Sequence, residues 1–319
     1  MTLNDFLRFL AQQNRSQLTL KNYQRDLERF LGFLLVTFPD IFTAKSSLDL
    51  SHCFQQWAAI ERTHLQAYLA RRSQSGIHPR SIARELSALR SALNFFLQKG
   101  IVWQNVAKGI KAPKAPQPLP KSIDVDQTGR LLDTHPDKEQ GEKSGVDWLD
   151  VRDQAIFELL YSAGLRVSEC ANLDFADMIG TYQEGWVKVL GKGRKERFAP
   201  VGSKAQFALT TWLNIRFEHA QSGENALFVN RSGRRLSVRS MQLRLDKRAE
   251  LAGLPTKVSP HRLRHACATH VLESSGDLRA VQEMLGHANL STTQIYTKLD
   301  LQHLAKVYDA AHPRAKAKK

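Results

Sequence analysis

Pro260-His261-Arg262-Leu263-Arg264-His265 is followed further on by Leu285-Gly286-His287-Ala288-Asn289-Leu290-Ser291-Thr292-Thr293-Gln294-Ile295-Tyr296. The run holds histidines, two arginines and a lone tyrosine, spaced so that a helical fold can gather them. His261 and His265, four apart on a helix, mimic half of a metal site. The glutamate that a metalloprotease helix places after the first histidine is absent: position 262 is arginine, and cationic neighbours repel a metal. Tyr296 follows the polar Ser291-Thr292-Thr293 rather than an apolar run, which favours exposure over a place in the core. The set suits a tyrosine hydroxyl attacking a phosphodiester, and the remainder of the chain must then supply cations and a surface for a polyanion.

Composition is consistent with that demand. The 319 residues carry a net charge of +15, and both parts are basic. A surplus of 9 positive charges falls in residues 1–120 and one of 6 in the rest. Such an excess points to nucleic acid as partner, against the alternative of a merely solvated basic surface. The longest apolar run, Phe30 to Phe38, is far short of a membrane helix. Met1 to Asp5 lacks the basic start and apolar core of a signal peptide, and no membrane partner is expected. Cys53, Cys170 and Cys267 are scattered and odd in number, which indicates reduced thiols and a cytoplasmic setting.

The first hundred residues read as helices throughout. Thr2 caps one that carries Phe6, Phe9 and Leu10; Thr19 opens a second with Leu20, Tyr23, Leu27, Phe30, Leu31 and Leu34 inward. A third runs from about Arg62 to Arg72. A fourth follows Pro79, with Ile82, Leu86, Leu89, Leu93, Phe96 and Leu97 inward. Four amphipathic helices make a small bundle. Lys21, Arg25 and Arg29 line one face of the second, and Arg80, Arg84 and Arg90 lie off the apolar face of the fourth, so these edges can sit against phosphates.

Lys108 to Lys121 holds four prolines and four lysines, an extended and cationic linker that suits either a clamp around a duplex or a plain spacer. Beyond it helices are expected at about 124–134 and 149–163. A hairpin pairs Trp186–Leu190 with Arg197–Val201, Ala226–Val229 adds a short strand, and helices resume from about Val238. Pro136–Asp147 reads as a surface insertion, and the stretch from Phe38 to Glu61 is long for a connection. Arg231, Arg234, Arg235, Arg239, Arg244, Lys247 and Arg248 flank a helix starting near Ser237, which suits a nucleic-acid groove or a solvated face equally.

Ala163-Gly164-Leu165-Arg166-Val167-Ser168-Glu169 places an arginine just after a glycine turn that ends an apolar helix, with Glu169 able to hold its guanidinium. Between the hairpin strands lies Gly191-Lys192-Gly193-Arg194-Lys195-Glu196, too short for a phosphate-binding P-loop. Lys192 and Lys195 are rival cations there.

These pieces, in this order along nearly the whole chain, resemble the tyrosine recombinase (phage integrase) family: Ala-Gly-Leu-Arg166-x-Ser-Glu169, Gly191-Lys192 to Arg197, His261-x-Leu-Arg264-His265, and Leu-Gly-His287 to Tyr296. Ala112–Pro116, Leu119–Asp126, Leu272–Arg279 and Tyr308–Lys316 are similar to its bacterial Xer branch. The resemblance implies a mainly α fold. Its parts are a SAM-like, four-helix core-binding domain (1–108), a linker (109–120), an α-rich catalytic domain with a small antiparallel sheet (121–313) and a basic tail (314–319).

It also implies six catalytic positions: Arg166, Lys192, His261, Arg264, His287 and the nucleophile Tyr296, with no metal and no cofactor. Two guanidiniums neutralise the phosphorane, His261 handles the tyrosine proton, His287 donates to a phosphate oxygen, and Lys192 rather than Lys195 protonates the departing 5′ oxygen. The DNA-contact candidates are Lys21, Arg25, Arg84, Arg90, Arg239 and Arg244. The implied partners are a double-stranded recombination site, a XerD-like recombinase (two subunits of each) and a cell-division DNA translocase; the implied task is resolving chromosome dimers. The segment after Tyr296, with Leu304 and Val307, is expected to dock in a neighbouring subunit. A mobile-element integrase and a DNA-binding protein without catalysis are the competing readings.

Overall fold

Capping sets where the first helices begin. In the computed structural model Thr2 precedes α1 (Leu3–Gln12), and its backbone N–H donates to Asp5 Oδ2 at 2.8 Å. The second helix, α2 (Gln17–Thr37), starts earlier than Thr19, because Ser16 Oγ accepts the Thr19 N–H at 3.2 Å and is the true N-cap. The structure describes all residues except 14, 44–49, 114–122, 136–146, 179–184, 192–195, 286–307, 309–310 and 315–319, with the side chains of His52 and Cys53 also outside the description. Two compact units divide the chain, Met1–Leu119 and Pro120–Lys319.

In the first unit α1 and α2 join α4 (Arg62–Gln74) and α5 (Pro79–Gln98) around one apolar core. Leu3, Phe6, Leu27, Phe30, Leu31, Leu34, Leu65 and Ile82 are fully buried there. Leu97, expected inward, is 39% exposed, because the core stripe on α5 ends at Phe96. The long connection before α4 contributes to the core: it carries α3 (Leu50–Cys53) and a one-turn helix at Trp57–Ala59. Phe42, Phe54 and Trp57 from this stretch are buried, and Trp57 stacks on Phe96 at 4.2 Å. The first residues assigned to the linker pack on this unit as well. Arg90 Nε donates to Ala107 O at 3.1 Å and its Nη2 to Ile110 O, and Ile110 is buried.

The second unit is built around α7 (Trp148–Ser162), buried on nearly every face. It follows α6 (Val125–Asp133) and is ended by Gly164, whose φ of +56° turns the chain into α8 (Val167–Ala171). Strands β1 (Trp186–Leu190) and β2 (Glu196–Pro200) pair antiparallel with Val189 opposite Arg197. The second strand thus begins and ends one residue earlier than expected. A helix that the sequence pattern does not announce, α9 (Ser203–His219), packs along α7. Ala226–Val229 is not a strand: Ala226 bridges Asp174 and Val229 bridges Arg235, each as an isolated pair.

The unit continues through α10 (Val238–Leu251), capped by Ser237, α11 (Pro260–Ser275) and α12 (Leu278–Leu285). Near its end Tyr308 and Arg314 are buried. Tyr308 Oη lies 2.6 Å from Ser162 Oγ, while Arg314 Nε donates to Glu158 Oε2 at 3.0 Å and Nη2 to Asp133 Oδ1 at 2.9 Å. Arg314 therefore belongs to the packed unit, not to a basic tail. Leu304 and Val307 lie outside the described residues.

Candidate active site

Three elements converge on one carboxylate. Arg166 precedes α8, and one turn later Glu169 accepts its backbone N–H on Oε2 at 2.8 Å and its guanidinium Nη1 on Oε1 at 2.7 Å. From β2, Arg197 Nη2 donates to Glu169 Oε2 at 2.9 Å. From α11, Arg264 Nη1 stands 3.7 Å from the same oxygen. Glu169, Arg197 and Arg264 are buried, whereas the Arg166 side chain is 45% exposed. One anion thus balances three cations, and the surplus positive charge opens to solvent at Arg166.

Backbone carbonyls aim Arg264. Its Nη1 donates to Gly164 O and its Nη2 to Leu285 O, which joins α11 to the turn before Arg166 and to the end of α12. Two of its five N–H groups serve these carbonyls. Burial, then repulsion from Arg166, lowers Arg264 to about 10, so it remains cationic at neutral pH. Gly164 is required on two counts. Its φ is +56°, and a Cβ there would stand 2.7 Å from Leu285 Cδ2. The buried Cys267 is pushed up to about 12 by its apolar surroundings, which leaves it a protonated packing group.

His261 is exposed in the first turn of α11, three residues before Arg264, where Pro260 begins the helix and Ser259 caps it. His265 is also exposed, one turn on. No cluster of potential metal ligands occurs among the described residues. Of the six catalytic candidates, Arg166, His261 and Arg264 lie in this unit as described; Lys192, His287 and Tyr296 lie outside the described residues, as does the rival Lys195. By sequence Arg197 is only the end of the hairpin motif. Its signal is an arginine at an inward position of a strand, alternating with the exposed Phe198 and ahead of the buried Ala199.

The DNA-contact candidates separate by what their side chains already hold. Lys21 and Arg239 are exposed. Arg25 is 57% exposed and holds Asn22 Oδ1 at 3.3 Å. Arg84 pairs with the buried Asp26, Nη2 to Oδ1 at 2.9 Å. Arg90 is committed to the carbonyls of Ala107 and Ile110. Arg244 Nη2 holds Asp150 Oδ1 at 3.3 Å, and its Nε pairs with Asp153. Arg29 and Arg248 are likewise engaged: Arg29 Nη1 donates to Glu85 Oε1 at 2.9 Å, and Arg248 is buried against Thr134 O and Gln154 Oε1. A basic residue off the apolar face of a helix can serve packing as readily as phosphate, and sequence does not separate the two.

Comparison with known proteins extends beyond these residues. Residues 121–303 match the phage integrase family, and residues 3–48 and 44–100 match the phage integrase N-terminal SAM-like domain. Tyrosine recombinase XerC of Proteus mirabilis is 45% identical over 321 aligned positions, covering 100% of this chain and 96% of that protein. The XerC of Shewanella oneidensis is 51% identical, covering 96% and 90%. Among solved structures, the Tn1549 transposon integrase in complex with circular intermediate DNA matches with a TM-score of 0.63 at 17% identity, over 95% of this chain and 98% of that one. Lambda integrase (residues 75–356) bound to DNA gives 0.61 at 16% identity, over 94% and 96%; these two likenesses concern the fold. The chain belongs to the phage integrase family and is a tyrosine recombinase, an enzyme that cleaves and rejoins DNA strands.

Proposed function

We propose that Tyr296 is the nucleophile of a site-specific recombinase working on double-stranded DNA, with Arg166 and Arg264 as its paired phosphate clamp. The observation that carries this reading is the cluster of Arg166, Arg264 and Glu169, with His261 on the same helix as Arg264. Guanidiniums remain charged throughout the reaction and match the non-bridging oxygens of a phosphodiester bidentately. Tyrosine, with an unperturbed pKa of roughly 10, is a weak nucleophile at neutral pH unless its proton is accepted and the developing charge on phosphorus is balanced. In this scheme the tyrosine oxygen bonds to phosphorus as the P–O5′ bond breaks. His261 takes the phenolic proton, Lys192 gives one to the departing 5′ oxygen, and His287 donates a hydrogen bond to a non-bridging oxygen. The products are a 3′-phosphotyrosyl link and a free 5′-OH. Attack by the 5′-OH of another strand reverses the chemistry without ATP, since the phosphodiester energy is kept in the tyrosyl ester.

Similarity to XerC proteins over nearly the full length supports the finer reading. In it, two copies of this chain act with two of a XerD-like recombinase on paired sites to resolve chromosome dimers, under a cell-division DNA translocase and in the cytoplasm. A duplex nicked near the cleavage point tests the chemistry. The wild-type chain, mixed with its partner, should trap a covalent adduct in undiminished yield in EDTA; Tyr296→Phe should bind the duplex and form none. Adduct from the phenylalanine variant would remove Tyr296 from the role, and a strict magnesium requirement would overturn the guanidinium scheme. Supplying the host's chromosomal site against a mobile-element attachment site separates the Xer reading from a mobile-element integrase.

A further inference from the structure

Arg197 occupies a position where strand alternation calls for an apolar side chain. It is the first inward residue of β2, faces the same interior as Ala199, and is 6% exposed. A buried ion pair at such a place seldom adds stability over a packed hydrocarbon, because two ions must be stripped of water to form it. Its partner narrows the reason. Arg197 Nη2 reaches Glu169 Oε2 at 2.9 Å, the oxygen that also accepts the Arg166 backbone N–H at 2.8 Å. The other oxygen is taken by the Arg166 guanidinium at 2.7 Å. Arg264 Nη1, at 3.7 Å from Oε2, is within a short swing of the same acceptor. Arg197 and Arg264 thus share Glu169 Oε2, Arg197 at hydrogen-bond distance and Arg264 at ion-pair distance, while Arg264 also donates to Gly164 O.

We propose that Arg197 is a positioning residue for the phosphate clamp: by holding Glu169 Oε2 it fixes the carboxylate that orients Arg166 and faces Arg264. The inference rests on the clamp reading above. It also gives the hairpin a second duty, since Arg197 stands at the start of the strand that comes after the Lys192 connection. The strand bearing one end of that connection is pinned by a charged hydrogen bond to the carboxylate that holds Arg166.

The test is single-turnover adduct formation on the nicked duplex with the partner recombinase present, read beside DNA affinity and thermal melting. Failure of the wild-type chain to form adduct would count against the clamp reading itself, whatever the role of Arg197. Arg197→Gln is expected to slow adduct formation by about 30-fold with DNA affinity within about twofold of wild type, as a misaligned reacting centre does. Arg197→Lys, which keeps a cationic donor, should recover to within about fivefold. The double variant Glu169→Gln with Arg197→Gln should be no slower than Glu169→Gln alone, because in this proposal Arg197 acts through Glu169. A rate for Arg197→Gln within about threefold of wild type, or losses that multiply in the double variant, would overturn the proposal. Should Arg197→Gln not fold, Arg197→Lys decides. If it folds and binds DNA yet is as slow as Glu169→Gln, the positioning role is refuted.

Discussion

Glu169 grips Arg166 at both ends, taking its backbone N–H at 2.8 Å on one oxygen and its guanidinium at 2.7 Å on the other. A single carboxylate therefore fixes where the chain enters α8 and where the exposed cation points. In Glu169→Gln the amide oxygen can still accept the backbone N–H, but the charge that restrains three guanidiniums is gone. Adduct formation should fall by about 10- to 100-fold, the range expected when a group that orients an electrostatic catalyst is lost. DNA affinity should hold or rise, since a negative charge is removed from beside the proposed phosphate clamp. A fall in affinity that accounts for the whole loss of rate would show that Glu169 serves binding instead.

Gly164→Ala should damage the site without removing any charged group. The alanine would need a φ of +56° and would bring its Cβ to 2.7 Å from Leu285 Cδ2. The same two residues supply the carbonyls that hold Arg264. Stability should drop by about 1–3 kcal/mol, and cleavage should slow more than DNA binding weakens. Denaturant melts beside adduct rates check both, and an unchanged rate would mean that Arg264 is held by other contacts.

Part of the site is readable from sequence because the chemistry is carried by short motifs with fixed spacing. Arg166 with Glu169, and His261 with Arg264, are each one helical turn apart and need no tertiary knowledge to be paired. Arg197 is not legible as part of the site, because its partner lies on α8 and only the fold brings them together. The helix α9 escapes a sequence reading for a local reason. Gly202 gives it no side-chain cap, and the exposed Phe207 and Phe217 blur the stripe of Ala205, Leu209, Trp212 and Leu213. Ser16 against Thr19 is a smaller case: two residues can each cap, and only the observed hydrogen bond decides.

The basic candidates divide into groups with opposite expected signatures. Lys21→Ala and Arg239→Ala should lower DNA affinity and flatten its dependence on salt by about one ion each while leaving stability intact, as for exposed phosphate contacts. Arg90→Ala should instead destabilise the first unit by about 1–3 kcal/mol, because it strips the Ile110 and Ala107 carbonyls of a donor. Arg244→Ala should likewise cost stability by leaving Asp153, itself buried, with one cation fewer. Titrations at several salt concentrations alongside denaturant melts separate the groups; a steep salt effect from Arg90→Ala at unchanged stability would reassign it.

His312 should make the protein sensitive to mild acid. It is buried against Tyr161, with ring centroids 4.8 Å apart, and its Nδ1 accepts the Arg314 N–H at 3.1 Å. Burial, with repulsion from His270 and Arg314 behind it, lowers the imidazole to about 3. The unfolded chain offers it an ordinary value of roughly 6.5. The unfolded state therefore binds the proton first, and stability must fall as pH drops from about 6.5 toward 3, with nothing lost above that window. His270, also buried and lowered chiefly by burial, adds to the same slope. His312→Asn keeps an acceptor near Nδ1 but cannot titrate. Urea melts at pH 7 and pH 5 should show a smaller loss of stability for the variant than for wild type. Equal losses in the two proteins would mean that folding does not shift the His312 imidazole from its ordinary value.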